Sequence, residues 1–190
     1  MSLMVKVCGI TRREDAEVAA AAGATALGFI FYPASPRYVR PQWVDGLTEG
    51  LAILKVGIFV RESAWSVAEV MRRAHLDVAQ IYGKEFPEGV RVWKAFRVSA
   101  PFDVNGAKGA EAVLLDGPSN GVAFNWSHIP ADGPKVILAG GLSAANVAEA
   151  IRVVQPWGVD ASSGLESSPG IKDAKKVREF VAAARKAAGE

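Results

Sequence analysis

Eight short runs rich in β-branched and other apolar residues alternate along this chain with runs of helical period, and no other feature restricts its fold so strongly. The first is Val5-Lys6-Val7-Cys8, and others follow at residues 26–31, 53–60, 78–81, 90–95, 112–115, 136–139 and 159–161. Between them, residues 12–22 predict a helix stopped by Gly23. Another helix follows Pro41, a residue suited to a first turn. Residues 65–74, 144–154 and about 173–187 read as amphipathic helices. The middle is less regular: residues 85–89 are poorly helical, residues 101–109 are a weak helix candidate, and Asn125 can cap a short helix. Such β-α alternation implies parallel βαβ units. A closed (βα)8 TIM barrel accounts for the count of eight, although an open doubly wound sheet shares the local pattern. The 190 residues fall short of the roughly 250 usual for such a barrel, so short loops and reduced helices are expected. No linker or low-complexity tract divides the chain, so residues 1–190 are expected to form a single catalytic domain. Met4 is a plausible natural start, which would make residues 1–3 an added leader.

Half of the residues are hydrophobic, enough for a sizeable core. A net charge of +2 is no footprint for nucleic acid, which favours a clustered basic face. No run of about 20 apolar residues could span a bilayer, and no signal peptide is evident. The single cysteine excludes an internal disulfide and suggests a reducing compartment, so a cytoplasmic location is expected. One cysteine and two histidines argue against a dedicated zinc site. Oligomeric state is not legible.

The C-terminal ends of barrel strands form the active-site face. Cys8 ends the first strand and precedes Gly9; a small buried hydrophobe is the alternative reading. Asp116 ends the sixth strand, where it is either functional or a turn-former ahead of Gly117. Gly140-Gly141 follow the seventh strand and Ser162-Ser163-Gly164 the eighth. Phosphate sites in barrels often sit after these two strands, and a short helix there would add its positive end. Arg37 lies in a loop stiffened by Pro33 and Pro36 and suits bidentate recognition of a carboxylate, unless it is a solvated surface arginine. His75 and His128 read as structural or surface residues.

Val5-Lys6-Val7-Cys8-Gly9-Ile10-Thr11, Gly28-Phe29-Ile30-Phe31 with Ser35-Pro36-Arg37-Tyr38-Val39, and Val56-Gly57-Ile58-Phe59-Val60 occur in this order. Leu114-Leu115-Asp116, Ile137-Leu138-Ala139-Gly140-Gly141-Leu142, the segment from Val159 through Glu166, and Pro169-Gly170-Ile171-Lys172-Asp173 follow. Together they resemble the phosphoribosylanthranilate isomerases of tryptophan biosynthesis, over nearly the whole chain. The resemblance implies a cofactor-free barrel acting on a small-molecule substrate, with Cys8 as general base and Asp116 as general acid. It implies Arg37 for the anthranilate carboxylate and Gly140, Gly141, Ser163 and Gly164 for the phosphate. Tyr82 stands where the family usually has histidine and is expected to touch substrate through its hydroxyl. The loop after Asp116 is shorter than usual, and Phe124-Asn125-Trp126 replaces the usual Phe-Asp-Trp.

The implied reaction is an Amadori rearrangement of N-(5′-phosphoribosyl)anthranilate to 1-(2-carboxyphenylamino)-1-deoxyribulose 5-phosphate. Two competing readings are a neighbouring phosphate-binding barrel enzyme, such as indole-glycerol-phosphate synthase or the tryptophan synthase α subunit, and a barrel that only binds sugar phosphates. The first would need a longer chain and a catalytic lysine or glutamate set that cannot be placed here. Finally, if Cys8 faces the lumen, period-2 alternation puts Lys6 there too. A buried ammonium needs a partner, and Asp160, the one acidic residue of the closing eighth strand, is expected to supply it.

Overall fold

The structure is a computed structural model that describes residues 2–97, 107–117 and 134–190. In chain order the described elements are β1 (Met4–Cys8), α1 (Arg13–Ala21), β2 (Ala26–Ile30), α2 (Val44–Thr48), β3 (Leu54–Phe59), α3 (Ala64–Arg73) and β4 (Val78–Ile81). Then come β5 (Val92–Arg97), β6 (Ala112–Asp116), β7 (Lys135–Ala139), α4 (Val147–Val154), β8 (Gly158–Ala161), β9 (Glu166–Ser168), β10 (Ile171–Lys172) and α5 (Ala174–Ala187). Strands β1 to β8 form a closed parallel barrel in sequence order, and β9 and β10 make a small antiparallel pair beside it. The closed barrel therefore holds and the open sheet does not. Closure is the β1–β8 ladder, in which Lys6 lies opposite Asp160.

Alternation along the strands divides the core into two layers. Val5, Val7, Leu27, Phe29, Val113, Leu115 and Leu138 point outward and pack with Ala16, Ala19, Val147, Val177 and Phe180 of the helices. Met4, Ala26, Val56, Val78, Trp93, Ala95, Leu114 and Ile137 fill the lumen. Each fully buried large side chain contributes about 1.5–3 kcal/mol.

Pairing, not local apolarity, sets the strand ends. The fifth strand starts at Val92, opposite Ala79, and reaches Arg97, opposite Asp116, two residues beyond the expected range. The helix after β7 begins at Val147, not Ala144; Oδ1 of Asn146, just before it, accepts from the Ser143 amide at 2.8 Å and ties down the preceding turn. Asp173 caps α5, accepting from the amides of Lys175 and Lys176. Pro41 opens a single 3-10 turn that leads into α2. Residues 85–89 form no helix, with a turn only at 88–89, and the short helix expected after β8 is one 3-10 turn, Ser163–Leu165. The expected helix over 101–109 falls mostly outside the described residues, as do Asn125 and His128.

Candidate active site

Cys8 ends β1 and faces the lumen at the mouth of the barrel. Its neighbour across the ladder is Gly28. A Cβ at Gly28 would lie 2.7 Å from Cys8 Sγ, so a glycine is required for the sulfur to sit there. Two residues deeper, Lys6 is fully buried and donates to Asp160 Oδ2 at 2.8 Å. The expected buried pair is present. Burial alone pulls the Lys6 pKa down, but Asp160 and Cys8 outweigh it and the net shift is upward. Burial pushes the Cys8 thiol up, while Lys6 and, more weakly, Lys172 draw it down; the net shift is upward.

Asp116 ends β6 and faces the same mouth. Tyr82, immediately after β4, donates its hydroxyl to Asp116 Oδ2 at 3.1 Å. Desolvation raises the Asp116 carboxyl, and the Tyr82 hydrogen bond only partly offsets this. Burial, with Asp116 and Cys8 nearby, pushes the Tyr82 phenol far up, so it stays a donor at any physiological pH. Tyr82 thus feels both Cys8 and Asp116, which places the three around one mouth.

Arg37, in the loop after β2, forms a bidentate pair with Glu166: Nε at 2.8 Å and Nη2 at 2.7 Å. Nη1 makes no hydrogen bond among the described residues. Lys172 donates to the same carboxylate at 3.0 Å, and the Gly170 amide also reaches it. Burial opposes the Glu166 charge, yet Arg37 and Lys172 hold its pKa below the ordinary value. Glu166 and Lys172 lie in the segments that carry the family resemblance, yet the sequence assigns them no part. Two opposite charges within a short glycine-containing segment just beyond the eighth strand were the available signal.

The glycines after β7 and β8 have local steric reasons. Gly140 and Gly141 both adopt positive φ, and a Cβ on Gly140 would strike the Gly117 amide nitrogen at 2.3 Å. A Cβ on Gly164 would lie 2.4 Å from the Leu142 carbonyl oxygen, so the two loops meet there. Asn146 Nδ2 bonds the Gly141 carbonyl at 3.0 Å, which stiffens the turn. Ser163 begins the 3-10 turn beside Gly164.

On the opposite side of the mouth a cavity of about 490 Å³ is lined by Tyr32, Arg61, Tyr82, Lys94, Phe96 and Arg97, among others. Lys94 points to the outer face of β5, and its ammonium binds the carbonyls of Tyr82 (2.7 Å) and Gly83 (2.9 Å). Neither Lys94 nor Arg97 was anticipated. His75 lies beyond α3, exposed, with Nδ1 2.7 Å from Asp45 Oδ2, so it is a surface residue as expected. Among the described residues, no cluster of three or more His, Cys, Asp or Glu could hold a metal ion, and no helix is long and apolar enough to cross a membrane.

Comparison with known proteins adds to this geometry. Residues 5–183 match the family model described as N-(5′-phosphoribosyl)anthranilate (PRA) isomerase. The N-(5′-phosphoribosyl)anthranilate isomerase of Solibacter usitatus is 46% identical, with 98% of this chain and 100% of that protein covered. The crystal structure of the phosphoribosyl anthranilate isomerase from Thermus thermophilus superposes with a TM-score of 0.87 at 38% identity, covering 99% of this chain and 100% of that one. Another solved isomerase, in complex with reduced 1-(o-carboxyphenylamino)-1-deoxyribulose 5-phosphate, gives a TM-score of 0.83 at 35% identity over 97% of this chain and 99% of that one. With a closed barrel, an acid and a thiol at its mouth, and relatives alike over their full length, this chain belongs to the N-(5′-phosphoribosyl)anthranilate isomerase family.

Proposed function

We propose that this chain converts N-(5′-phosphoribosyl)anthranilate to 1-(2-carboxyphenylamino)-1-deoxyribulose 5-phosphate, with Cys8 as general base and Asp116 as general acid. The observation that carries the reading is the placement of these two proton-transfer groups at the C-terminal ends of β1 and β6, in a chain of this family. Asp116, whose pKa desolvation raises, suits protonation of the furanose ring oxygen as the ring opens to an iminium. Cys8, as thiolate, removes the C2′ proton to give the enolamine, which tautomerises to the ketone. Two protons enter the substrate, at the ring oxygen and at C1′. Two leave, from C2′ and from the enol hydroxyl, so the product is an isomer and no redox partner is needed.

In this reading Arg37, braced by Glu166, offers Nη1 to the anthranilate carboxylate. Tyr82 fixes Asp116 and borders the substrate. The phosphate lies against the loops of Gly140, Gly141, Ser163 and Gly164, which supply backbone amides after β7 and β8. Holding both ends sets the reacting carbons between base and acid. A relative that binds the reduced product supports the ligand class. The proposal places the enzyme in the cytoplasm, as one domain over residues 1–190. Side chains alone can make both proton transfers, so it needs neither cofactor nor metal. The test is to add the purified chain to chemically prepared phosphoribosylanthranilate and follow the loss of its anthranilate fluorescence. Catalysed loss with formation of the ketose is expected; fluorescence decay at the rate of the buffer blank would overturn the reading.

A further inference from the structure

We propose that Lys6, fixed by Asp160, is a positioning residue for Cys8, and that its ammonium stabilises the thiolate that proton abstraction requires. The inference rests on the assignment of Cys8 as base. It starts from strand geometry. Lys6 and Cys8 are two residues apart on β1 and share the lumen face. Lys6 has no exposed surface, so its charge cannot be screened by water. An ammonium has three donors. Asp160 Oδ2 takes one at 2.8 Å, and the field of the ammonium reaches Cys8 on the same lumen face. Asp160 uses one oxygen for this contact, while its Oδ1 has no hydrogen-bond partner among the described residues. The carboxylate therefore anchors the ammonium on one side and leaves it free to face the sulfur on the other.

Among the described residues, the charged and titratable groups around Cys8 are Lys6 on β1, Asp160 on β8, Lys172 on β10, Arg37 in the loop after β2, and Tyr82 after β4. Arg37 and Lys172 are both held by Glu166, which neutralises part of their field. Asp160 opposes the thiolate, but Lys6 is the stronger influence on Cys8. Lys6 is thus the cation that best favours ionisation of a sulfur whose burial disfavours it. In the catalytic cycle the thiolate takes the proton from C2′, and the resulting thiol gives a proton up again as C1′ is protonated. Lys6 keeps its own protons throughout.

Cys8 is the one cysteine in the chain, so its thiolate absorbance titrates without interference from other thiols. Subtracting Cys8→Ala removes the tyrosine background. The experiment compares wild type with the double variant Lys6→Met/Asp160→Leu, with folding checked by near-ultraviolet circular dichroism. The thiol midpoint is expected at higher pH in the double variant. Removing Asp160 alone would shift it the other way, so an upward shift reports the loss of Lys6. Its kcat at neutral pH should fall about tenfold or more and recover as pH rises. An unchanged midpoint in a folded double variant overturns the proposal. Wild-type protein gives a second measurement that does not depend on the variant folding. The Lys6 ammonium resonance, in lysine-labelled protein, should step at the pH where the thiolate band appears, and that step should vanish in Cys8→Ala. A Lys6 resonance unmoved by thiol ionisation also overturns the proposal. Neither titration uses substrate. A failed assay for isomerisation and a failed role for Lys6 are therefore separate results.

Discussion

The two sides of the barrel mouth solve opposite electrostatic problems. Along β8, β1 and the loop after β2, every buried charge faces an opposite one: Lys6 with Asp160, and Arg37 and Lys172 with Glu166. Along β4, β5 and β6 the hydrogen bonds of the buried polar groups at the mouth go to neutral partners, although the Arg97 charge also acts on Asp116. Asp116 accepts from a phenol, and Lys94 is held by backbone carbonyls. The consequence shows in the two lysines. Lys6 has its pKa raised despite complete burial, because a carboxylate compensates it. Lys94 has its pKa lowered by burial, because carbonyl dipoles compensate it less. The ionic side suits a group that must become an anion during the reaction. The neutral side suits an acid that must keep its proton until the ring opens. This division is the one that the proposed roles of Cys8 as base and Asp116 as acid require.

The comparison is tested most severely by removing the two groups themselves. Cys8→Ala and Asp116→Asn should each lower kcat by about 100- to 10,000-fold with little change in KM. The two should differ in stability. Asp116 has a folded-state pKa above its unfolded value, so ionising it weakens the fold. That penalty is absent below the unfolded carboxyl pKa of about 3.9 and complete above the folded value. Asp116→Asn should therefore be at least as stable as wild type at neutral pH, with the advantage lost in acid. Steady-state kinetics and denaturant melts at two pH values decide this. Near-normal kcat in either variant would remove that residue from the mechanism.

The ionic side should behave oppositely, with charge there supporting the fold. Lys6→Met strands Asp160 in the lumen and should cost about 3–5 kcal/mol. Adding Asp160→Leu should recover much of that loss, because a paired charge and an apolar pair of similar volume are nearly equivalent. Lys6 has a raised pKa, so its contribution is complete below the unfolded lysine value of about 10.4 and fades as pH rises through the folded value. Additive losses in denaturant melts of the two singles and the double would break the contrast between the two sides.

The smallest effect is expected at the hydroxyl that touches the acid. Tyr82→Phe removes the hydrogen bond that lowers the Asp116 pKa. The carboxyl should then hold its proton to higher pH, and the alkaline limb of kcat should move up. Kcat itself should fall only several-fold, since one intramolecular hydrogen bond contributes about 0.5–1.5 kcal/mol net. A pH–rate profile settles the point; an alkaline limb shifted down would mean that Tyr82 acts on something other than Asp116.

Much of this was legible in the chain. Each of the eight barrel strands is legible because apolar runs between turn signals mark buried parallel strands whatever surrounds them; β9 and β10 are not. The ends were less legible: Val90 is apolar yet lies outside β5, since no partner on β4 reaches it. The helix after β4 is missing for a related reason. Residues 85–89 carry no apolar stripe, and the Lys94 ammonium ties the carbonyls after β4 in its place. Cys8 and Asp116 were placed by strand-end position alone, and their roles by family resemblance.

By itself the sequence determined the order of the eight strands and the parity of each residue upon them. Parity is a local property of an extended backbone, so Lys6 and Cys8 had to share a face, and burial of Lys6 demanded a carboxylate that the eighth strand could supply. The tertiary structure alone decided that Glu166 clasps Arg37 across 129 residues of chain and shares itself with Lys172. That contact depends on a short hairpin, β9 and β10, folding back against the loops after β1 and β2. No period announces such a fold-back, because it is set by where loops from distant parts of the chain meet, not by the residues within any one of them.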